Sequence, residues 1–184
     1  ASAMITEGTT EALTTDYAYI MNDDGTISVS GYTGSDTDLT VPGLIDGYVV
    51  TGIADHAFEA NADIKSITLP NGLITIGESA FSDCSSLTTV VIPDTVGTIR
   101  RGAFISCTAL TTLDIPASVT EIMEETFTGC AALKDLTVES STVEFTNWWV
   151  DTDEIPSDLT ITCPKDSKIA AWAEKNNVAT EPLS

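Results

Sequence analysis

The chain has 184 residues, of which 28 are acidic and 7 basic, giving a formal net charge of −21. This charge would repel the phosphates of nucleic acids and anionic lipid head groups, so we expect neither as a partner. Hydrophobic residues make up 42% of the chain, too many for a disordered acidic tail. No apolar run reaches the roughly 20 residues that a membrane-spanning helix needs, so we predict one globular domain without membrane insertion.

Residues 1–16 are Thr-rich and aperiodic, and they are predicted to form a flexible leader or to be a remnant of cleavage or expression. We expect the signal peptide itself to be absent from this sequence. Residues 17–49 are predicted to form an N-terminal β cap. Two alternating runs lie on either side of Asn22-Asp23-Asp24-Gly25, which is a strong β-hairpin signal.

The first repeat strand is predicted at Leu39-Thr40-Val41-Pro42. The step from this proline to Phe58 is longer than the corresponding step in later units, such as the one from Pro70 to Phe81. The first unit therefore carries an insertion of five residues around Ile45–Tyr48, and we expect a loop that bulges from the first coil.

A 23-residue period organises the segment 50–139 into four units. The positions that recur include one Phe, one Cys and one Pro per unit, namely Phe58, Phe81, Phe104 and Phe127, then Cys84, Cys107 and Cys130, then Pro70, Pro93 and Pro116. A unit this small cannot bury its apolar face alone, so the units are predicted to stack into a solenoid of short strands and helical or 3-10 turns. Equivalent residues would then lie about 4.8 Å apart, and the Phe and Cys positions would form continuous core ladders.

Within a unit, Val90 and Ile92 are predicted to point into the core, while Thr89 and Val91 point outward. Pro93 ends the strand because proline has no N–H to donate to a sheet. Over the four units the outward positions form a ribbon of small, mostly hydroxylated side chains that turns acidic toward the C-terminus. These are the candidate binding surface: Ser66, Thr68, Thr89, Val91, Thr112, Asp114, Asp135 and Thr137.

The repeat resembles the BspA-like leucine-rich repeats, on the segment Ile76-Gly77-Glu78-Ser79-Ala80-Phe81-Ser82-Asp83-Cys84-Ser85-Ser86-Leu87 and its equivalents at Ile99 and Ile122. The generic leucine-rich pattern places Asn or Cys after the strand. Here Gly72, Thr95 and Ser118 occupy that position, a departure that fits the BspA-like subgroup. The resemblance implies a recognition surface on a secreted or cell-surface bacterial protein.

Residues 140–184 are predicted to form a degenerate fifth repeat and a C-terminal helical cap. Leu159 and Ile161 follow Leu136 and Val138 by one full repeat period, so the strand keeps its register. Ser167 can cap a helix that runs through Asn177 and covers the open end of the stack.

Nothing in the residues favours an enzyme, a cofactor or a specific metal centre. His56 is the single histidine, and its repeat equivalents Ser79, Gly102 and Glu125 indicate an exposed turn position. The repeat cysteines lack the short spacing of zinc ligands, so buried thiols are favoured over a disulfide or a metal cluster. Weak calcium binding is left open by the net charge and by the acidic clusters at 35–38 and 151–154.

Trp148 and Trp149 raise a further possibility. If the segment is extended, neighbouring side chains point to opposite faces, so one indole would fill the core and Trp148 would be exposed. An exposed Trp148 would belong to the candidate binding surface, where it could stack on a sugar ring or anchor a protein, but packing under the C-terminal cap is favoured. The sequence thus supports an adhesion or protein-binding module, with a carbohydrate-binding module or a structural spacer as alternatives.

Overall fold

A computed structural model describes residues 16–183, without the side chain of Asp153, so the predicted leader lies outside the described residues except for Asp16. The chain winds into a solenoid of short strands with one α-helix, α1 (Lys168–Lys175), near its C-terminus. The strands are β1 (Tyr17–Met21), β2 (Ile27–Tyr32), β3 (Asp38–Thr40), β4 (Leu44–Ile45), β5 (Tyr48–Ile53), β6 (Ser66–Thr68), β7 (Thr75–Ile76), β8 (Thr89–Val91), β9 (Thr98–Ile99), β10 (Thr112–Ile115), β11 (Glu121–Ile122), β12 (Asp135–Val138), β13 (Glu144–Phe145), β14 (Thr160–Cys163) and β15 (Ala179–Pro182).

Each repeat contributes one strand to each of two sheet faces. We call the face built from β3-β6-β8 and β10-β12-β14-β15 the repeat sheet; its two segments meet where β8 lies beside β10. The other face, the second sheet, has the order β1-β2-β5-β7-β9-β11-β13. Within the repeats both sheets are parallel and pair positions that are one repeat apart, as in Ile67 with Val90 and Ile76 with Ile99, which confirms the predicted solenoid.

The core between the two faces is built around the phenylalanine column. Phe58, Phe81, Phe104 and Phe127 are all buried. Their rings stack almost parallel, with centroids separated by 5.3, 5.5 and 6.4 Å along the column. Burying each ring removes a large apolar surface from water, a gain of about 2–3 kcal/mol per side chain.

The cysteine column adds a second hydrogen bond to backbone carbonyls that already accept an N–H within their own turn. Each thiol donates to the carbonyl of a phenylalanine one coil earlier: the Sγ–O distances are 3.1 Å for Cys84 to Phe58, 3.1 Å for Cys107 to Phe81 and 3.0 Å for Cys130 to Phe104. All four cysteines are buried free thiols. Cysteine suits this position because it is small and apolar yet carries a weak donor.

The turn around each phenylalanine contains two residues in the left-handed conformation. His56, Ser79, Gly102 and Glu125 form one such column, and Ala60, Asp83, Ser106 and Gly129 form the other, with φ between 51° and 75°. This geometry lets backbone N–H groups alternate between local and inter-coil partners. The amides of Ser79, Phe81 and Asp83 donate to the next coil, whereas those of Ala80, Ser82 and Cys84 donate three residues back within their own turn.

Hydroxyl groups occupy the position that the generic leucine-rich pattern gives to Asn or Cys. Thr95 Oγ1 donates to the Leu73 carbonyl at 2.8 Å and accepts from the Gly72 N–H at 3.1 Å. Ser118 Oγ repeats the first contact one coil later, 2.7 Å from the Val96 carbonyl. A short hydroxyl side chain thus links successive coils at this corner.

The N-terminal cap contains the predicted hairpin, with β1 and β2 antiparallel and Gly25 in the turn at φ 83°. The five-residue insertion forms a second, smaller hairpin, in which β4 pairs antiparallel with β5 around Asp46 and Gly47. Both turn residues have positive φ, at 50° and 85°, as two-residue hairpin turns require.

At the C-terminal end, β14 keeps the predicted register, with Ile161 opposite Leu136. Ser167 Oγ caps α1 by accepting from the Ala170 N–H at 3.1 Å. The sequence did not predict β15, which follows the helix and adds a further parallel strand beside β14. The repeat sheet therefore ends at β15 as well as being flanked by α1.

The buried thiols make a testable prediction about alkaline stability. Burial raises the pKa of Cys84 and Cys130 to about 12 from the ordinary value of 9.0, and it also raises the pKa of Cys107. Above pH 9 the unfolded chain therefore loses protons that the folded chain retains, so the free energy of unfolding falls as pH rises toward 12. The expected slope is about 1 kcal/mol per pH unit for each thiol.

Urea unfolding between pH 8 and 11 measures this slope, with Cys107→Ala as the comparison. Cys107→Ala should be less stable than the parent at every pH, but its free energy of unfolding should fall less steeply as the pH rises. A fast reaction of Cys107 with a thiol reagent in the native protein would contradict the buried-thiol geometry.

The left-handed columns generate a second prediction. Ala60 has φ 58° and an exposed side chain, so Ala60→Gly relieves backbone strain and should raise the free energy of unfolding by about 0.5–1 kcal/mol. Ala62 is also exposed but does not have positive φ, so Ala62→Gly should lower the free energy of unfolding by about 0.5 kcal/mol. Urea unfolding should therefore show that Ala60→Gly stabilises the protein and that Ala62→Gly destabilises it. If both variants are destabilised equally, Ala60 is not strained.

Candidate functional site

The outward side chains of the repeat sheet lie in two parallel rows. The first row runs through Ser66, Thr89, Thr112 and Asp135, and the second through Thr68, Val91, Asp114 and Thr137. Six of these eight residues are exposed, and Ser66 and Thr137 are half-buried. The structure thus brings the predicted positions together on one face.

The structure also extends both rows beyond the residues that the sequence singled out. Asp38 and Thr160 continue the first row at its two ends, while Thr40 and Thr162 continue the second. Beyond them lies β15, with Glu181 next to Thr162. The positions of Thr160 and Thr162 follow from the repeat register of Leu159 and Ile161. Strand β15, in contrast, has no alternation of apolar residues from which it could be predicted.

The chemistry of this face is uniform. Its rows combine short hydroxyls with Asp38, Asp114, Asp135 and Glu181, and they contain no basic side chain. Asp38 Oδ1 accepts from Ser66 Oγ at 2.6 Å, which fixes both side chains. Strands β6, β12 and β14 are hydrogen-bonded on both sides, and β8 and β10 lie beside each other, so a ligand on this face meets side chains. The outer edges open to an added strand are β3 and β15.

The structure contradicts the assignment of Trp148 to the candidate binding surface and agrees with packing under the C-terminal cap. Trp148 retains 1% of its surface and Trp149 5%, so both indoles are buried. The reason is local: residues 148–151 form a bend rather than an extended segment, so the two side chains do not alternate between opposite faces. Trp148 is therefore removed from the candidate binding surface.

The two indoles extend the aromatic column into the C-terminal cap. Trp148 packs edge-on to Phe127 at 5.7 Å between ring centroids, and Trp149 stacks on Trp172 of α1 at 5.8 Å. The indole N–H groups of Trp148 and Trp149 have no hydrogen-bond partner in this cluster. An unpaired buried donor costs roughly 1–3 kcal/mol, which offsets part of the gain from burying these two large rings.

The other residues considered as catalytic or metal-binding candidates, His56 and the acidic hairpin turn, do not form such a site in the described structure. His56 is exposed in a turn, with Nδ1 2.9 Å from Glu59 Oε2. The Asn22–Gly25 segment forms the hairpin turn. Within residues 16–183, no group of three or more His, Cys, Asp or Glu side chains is placed to hold a metal ion.

No helix in the described part of the chain is both long enough and apolar enough to cross a membrane.

Comparison with known proteins agrees with the geometry of the coils. The sequence model of the family described as BspA type leucine rich repeat region matches residues 50–161 with six copies of the repeat, which is more than half of the chain. The chain belongs to the BspA-type leucine-rich repeat family. Repeats of this kind typically serve as non-enzymatic binding scaffolds.

Solved structures of bacterial leucine-rich repeat proteins share the fold. The T. pallidum leucine rich repeat protein is 25% identical, with a TM-score of 0.75 over 83% of this chain and 71% of its own. A leucine-rich repeat protein from Bacteroides capillosus is 32% identical, with a TM-score of 0.60 over 66% of this chain and 92% of its own.

A leucine rich cell surface protein from Faecalibacterium prausnitzii is 28% identical, with a TM-score of 0.59 over 98% of this chain. This chain spans 47% of that protein. No curated protein sequence matches this chain significantly.

The buried tryptophan cluster makes a spectroscopic prediction. Because Trp148 and Trp149 are enclosed and Trp172 is half-buried, native fluorescence emission should be blue-shifted and weakly quenched by acrylamide. Replacement Trp172→Phe leaves the two buried indoles and should reduce quenching further. Strong quenching that disappears in Trp148→Phe would show that Trp148 is exposed after all.

Proposed function

We propose that this chain is a non-enzymatic recognition module of an exported bacterial protein, which binds an extracellular protein through the repeat sheet. The observation that carries the proposal is the pair of mostly exposed rows from Ser66 to Thr137, which the parallel pairing within each segment of the repeat sheet holds in register. A surface that is repetitive, flat and fixed before binding suits an extended protein ligand.

Two further facts support this function. The family typically provides binding scaffolds rather than enzymes. One structural relative is described as a leucine rich cell surface protein, which supports a location outside the cell. A cell-surface adhesin is the specific form of the proposal.

The ligand of this face is proposed to be a protein rather than a glycan. The glycan alternative depended on an exposed Trp148, and that indole is buried. The outward rows of the repeat sheet contain no aromatic ring on which a sugar could stack. With a net charge of −21, weak and non-specific calcium association is also expected, without a dedicated site.

Binding to a panel of purified extracellular-matrix proteins and mucins tests the function. The variant Thr112→Tyr adds a bulky side chain at the centre of the first row, and β propensity favours tyrosine in a strand. It should weaken binding to the captured ligand at least tenfold. Thr98→Tyr, in β9 of the second sheet, is the matched control and should bind as the parent does.

Circular dichroism and urea unfolding establish that both variants fold. If both variants bind as the parent does, recognition does not take place on the repeat sheet. If the parent binds no member of the panel, the chain would act as a structural spacer.

A further inference from the structure

A groove of about 370 Å³ lies on the second sheet, beside the N-terminal hairpin. It interrupts an outward row in which Ile20, Ser28, Gly52 and Thr75 are successive neighbours on β1, β2, β5 and β7. Gly52 has no side chain and is itself buried, because Ser28 Oγ occupies the space where a Cβ atom would lie. We call this depression the hairpin groove; its lining includes Asn22, Asp24, Asp55, Ile74 and Arg100.

Close packing under the groove explains its two glycines. A Cβ atom on Gly52 would lie 2.5 Å from Ser28 Oγ, and one on Gly77 would lie 2.6 Å from the backbone carbon of Ala54. Such distances are too short for non-bonded atoms. The Ser28 side chain thus fills the space over Gly52, and packed backbone leaves no room for a side chain at Gly77.

A hydrogen-bonded network fixes the hairpin side of the groove. Asn22 Nδ2 donates to Thr26 Oγ1 at 3.0 Å and to Thr51 Oγ1 at 3.2 Å, while Asn22 Oδ1 accepts from Ser28 Oγ at 3.0 Å. Asp24 Oδ1 accepts from the Thr26 N–H at 3.0 Å and from its hydroxyl at 2.6 Å. These polar groups are ordered before any ligand arrives, which lowers the entropic cost of binding.

The charges at the groove leave an unpaired carboxylate. Asp24 is exposed, and its hydrogen bonds from Thr26 lower its pKa, so it is ionised at neutral pH. No basic side chain of the described chain forms an ion pair with it. Across the groove, Asp55 Oδ1 is 3.8 Å from Arg100 Nη1, a long and exposed pair that contributes little.

Apolar side chains border the same depression. Ile20 and Ile74 line it and remain 53% and 55% exposed. More broadly, the N-terminal coils carry six of the nine large apolar side chains that are exposed in the described structure: Ile20, Met21, Leu44, Tyr48, Val49 and Ile74. Such a concentration is typical of an interaction surface.

We propose that the hairpin groove is a second binding site, which takes a lysine or arginine side chain of a protein partner. The methylene stem of that side chain would pack against Ile20 and Ile74, and its cationic head would reach Asp24 and Asp55. Long basic side chains combine these two properties. The site is independent of the repeat sheet.

The charge and composition of the groove favour a basic side chain over a second copy of this chain or a sugar. A second copy of this chain would bring another net charge of −21 to the same surface, which opposes association. The groove lining contains no aromatic ring for a sugar. The groove lining carries two carboxylates, Asp24 and Asp55, against one cation, Arg100, so a cationic segment complements the excess charge of the groove and of the whole molecule.

Backbone amide NMR with short peptides as probes tests the site. The probes are Ac-Gly-Arg-Gly-NH₂ and Ac-Gly-Lys-Gly-NH₂, with Ac-Gly-Gln-Gly-NH₂ as the neutral comparison. The cationic peptides should shift the amides of Thr51, Asp55 and Thr75 saturably, and the glutamine peptide should not. Because the attraction is electrostatic and exposed, added salt at about 0.5 M should weaken binding several-fold.

Four variants separate a specific site from general attraction to an acidic protein. Asp24→Asn keeps the turn acceptor and should weaken the cationic peptides at least fivefold, whereas Asp94→Asn removes the same charge from an exposed loop and should have no such effect. Thr75→Tyr should block the groove, while Thr98→Tyr, one coil further on, should not.

Equal effects of Asp24→Asn and Asp94→Asn, shifts spread evenly over the acidic surface, or no saturable shift would each overturn the proposal. Thr112→Tyr on the repeat sheet should leave peptide binding unchanged. Failure of one site is thereby distinguishable from failure of the other.

Discussion

The whole structure depends on the stacking of one coil on the next, because no single repeat unit encloses a core by itself. The phenylalanine column supplies the apolar contact, and the Cys84, Cys107 and Cys130 thiols each donate to a phenylalanine carbonyl of the preceding coil. The left-handed residues on either side of each phenylalanine turn alternate amides toward the next coil. Packing and hydrogen bonding therefore impose the same spacing, and each coil is stabilised mainly by its immediate neighbours.

The stacking of the core residues also determines which side chains the sheets expose to a ligand. With inward positions fixed, the strands present Ser66, Thr89 and Thr112 in a straight row with little freedom to rearrange. Variation is concentrated where the repeat is interrupted, at the N-terminal hairpin and the five-residue insertion. There the second sheet has no side chain at Gly52 and exposes Ile20 and Ile74, and a concave site lies beside an otherwise regular surface.

The periodic part of the molecule was predictable because the repeat spacing translates directly into register, as Ile67 beside Val90 shows. Prediction failed where a segment departs from that period. Trp148 and Trp149 were assigned to opposite faces on the assumption of an extended backbone, but the chain bends and both indoles enter the core. Strand β15 is exposed along its whole length, so no apolar pattern marked it. The Asp46-Gly47 turn could have revealed the β4–β5 hairpin, whereas the hairpin groove requires four segments that are distant in sequence to meet and has no local signal.

Native-state hydrogen exchange in Phe104→Ala tests the central claim most directly. The amides of Phe81, Phe104 and Phe127 each donate to the following coil. If stacking between neighbours stabilises the solenoid, removing one ring should accelerate exchange at all three amides, with a smaller effect at the more distant Phe58. Acceleration confined to Phe104, with unchanged protection at Phe81 and Phe127, would show that each coil is stable by itself and would contradict this account.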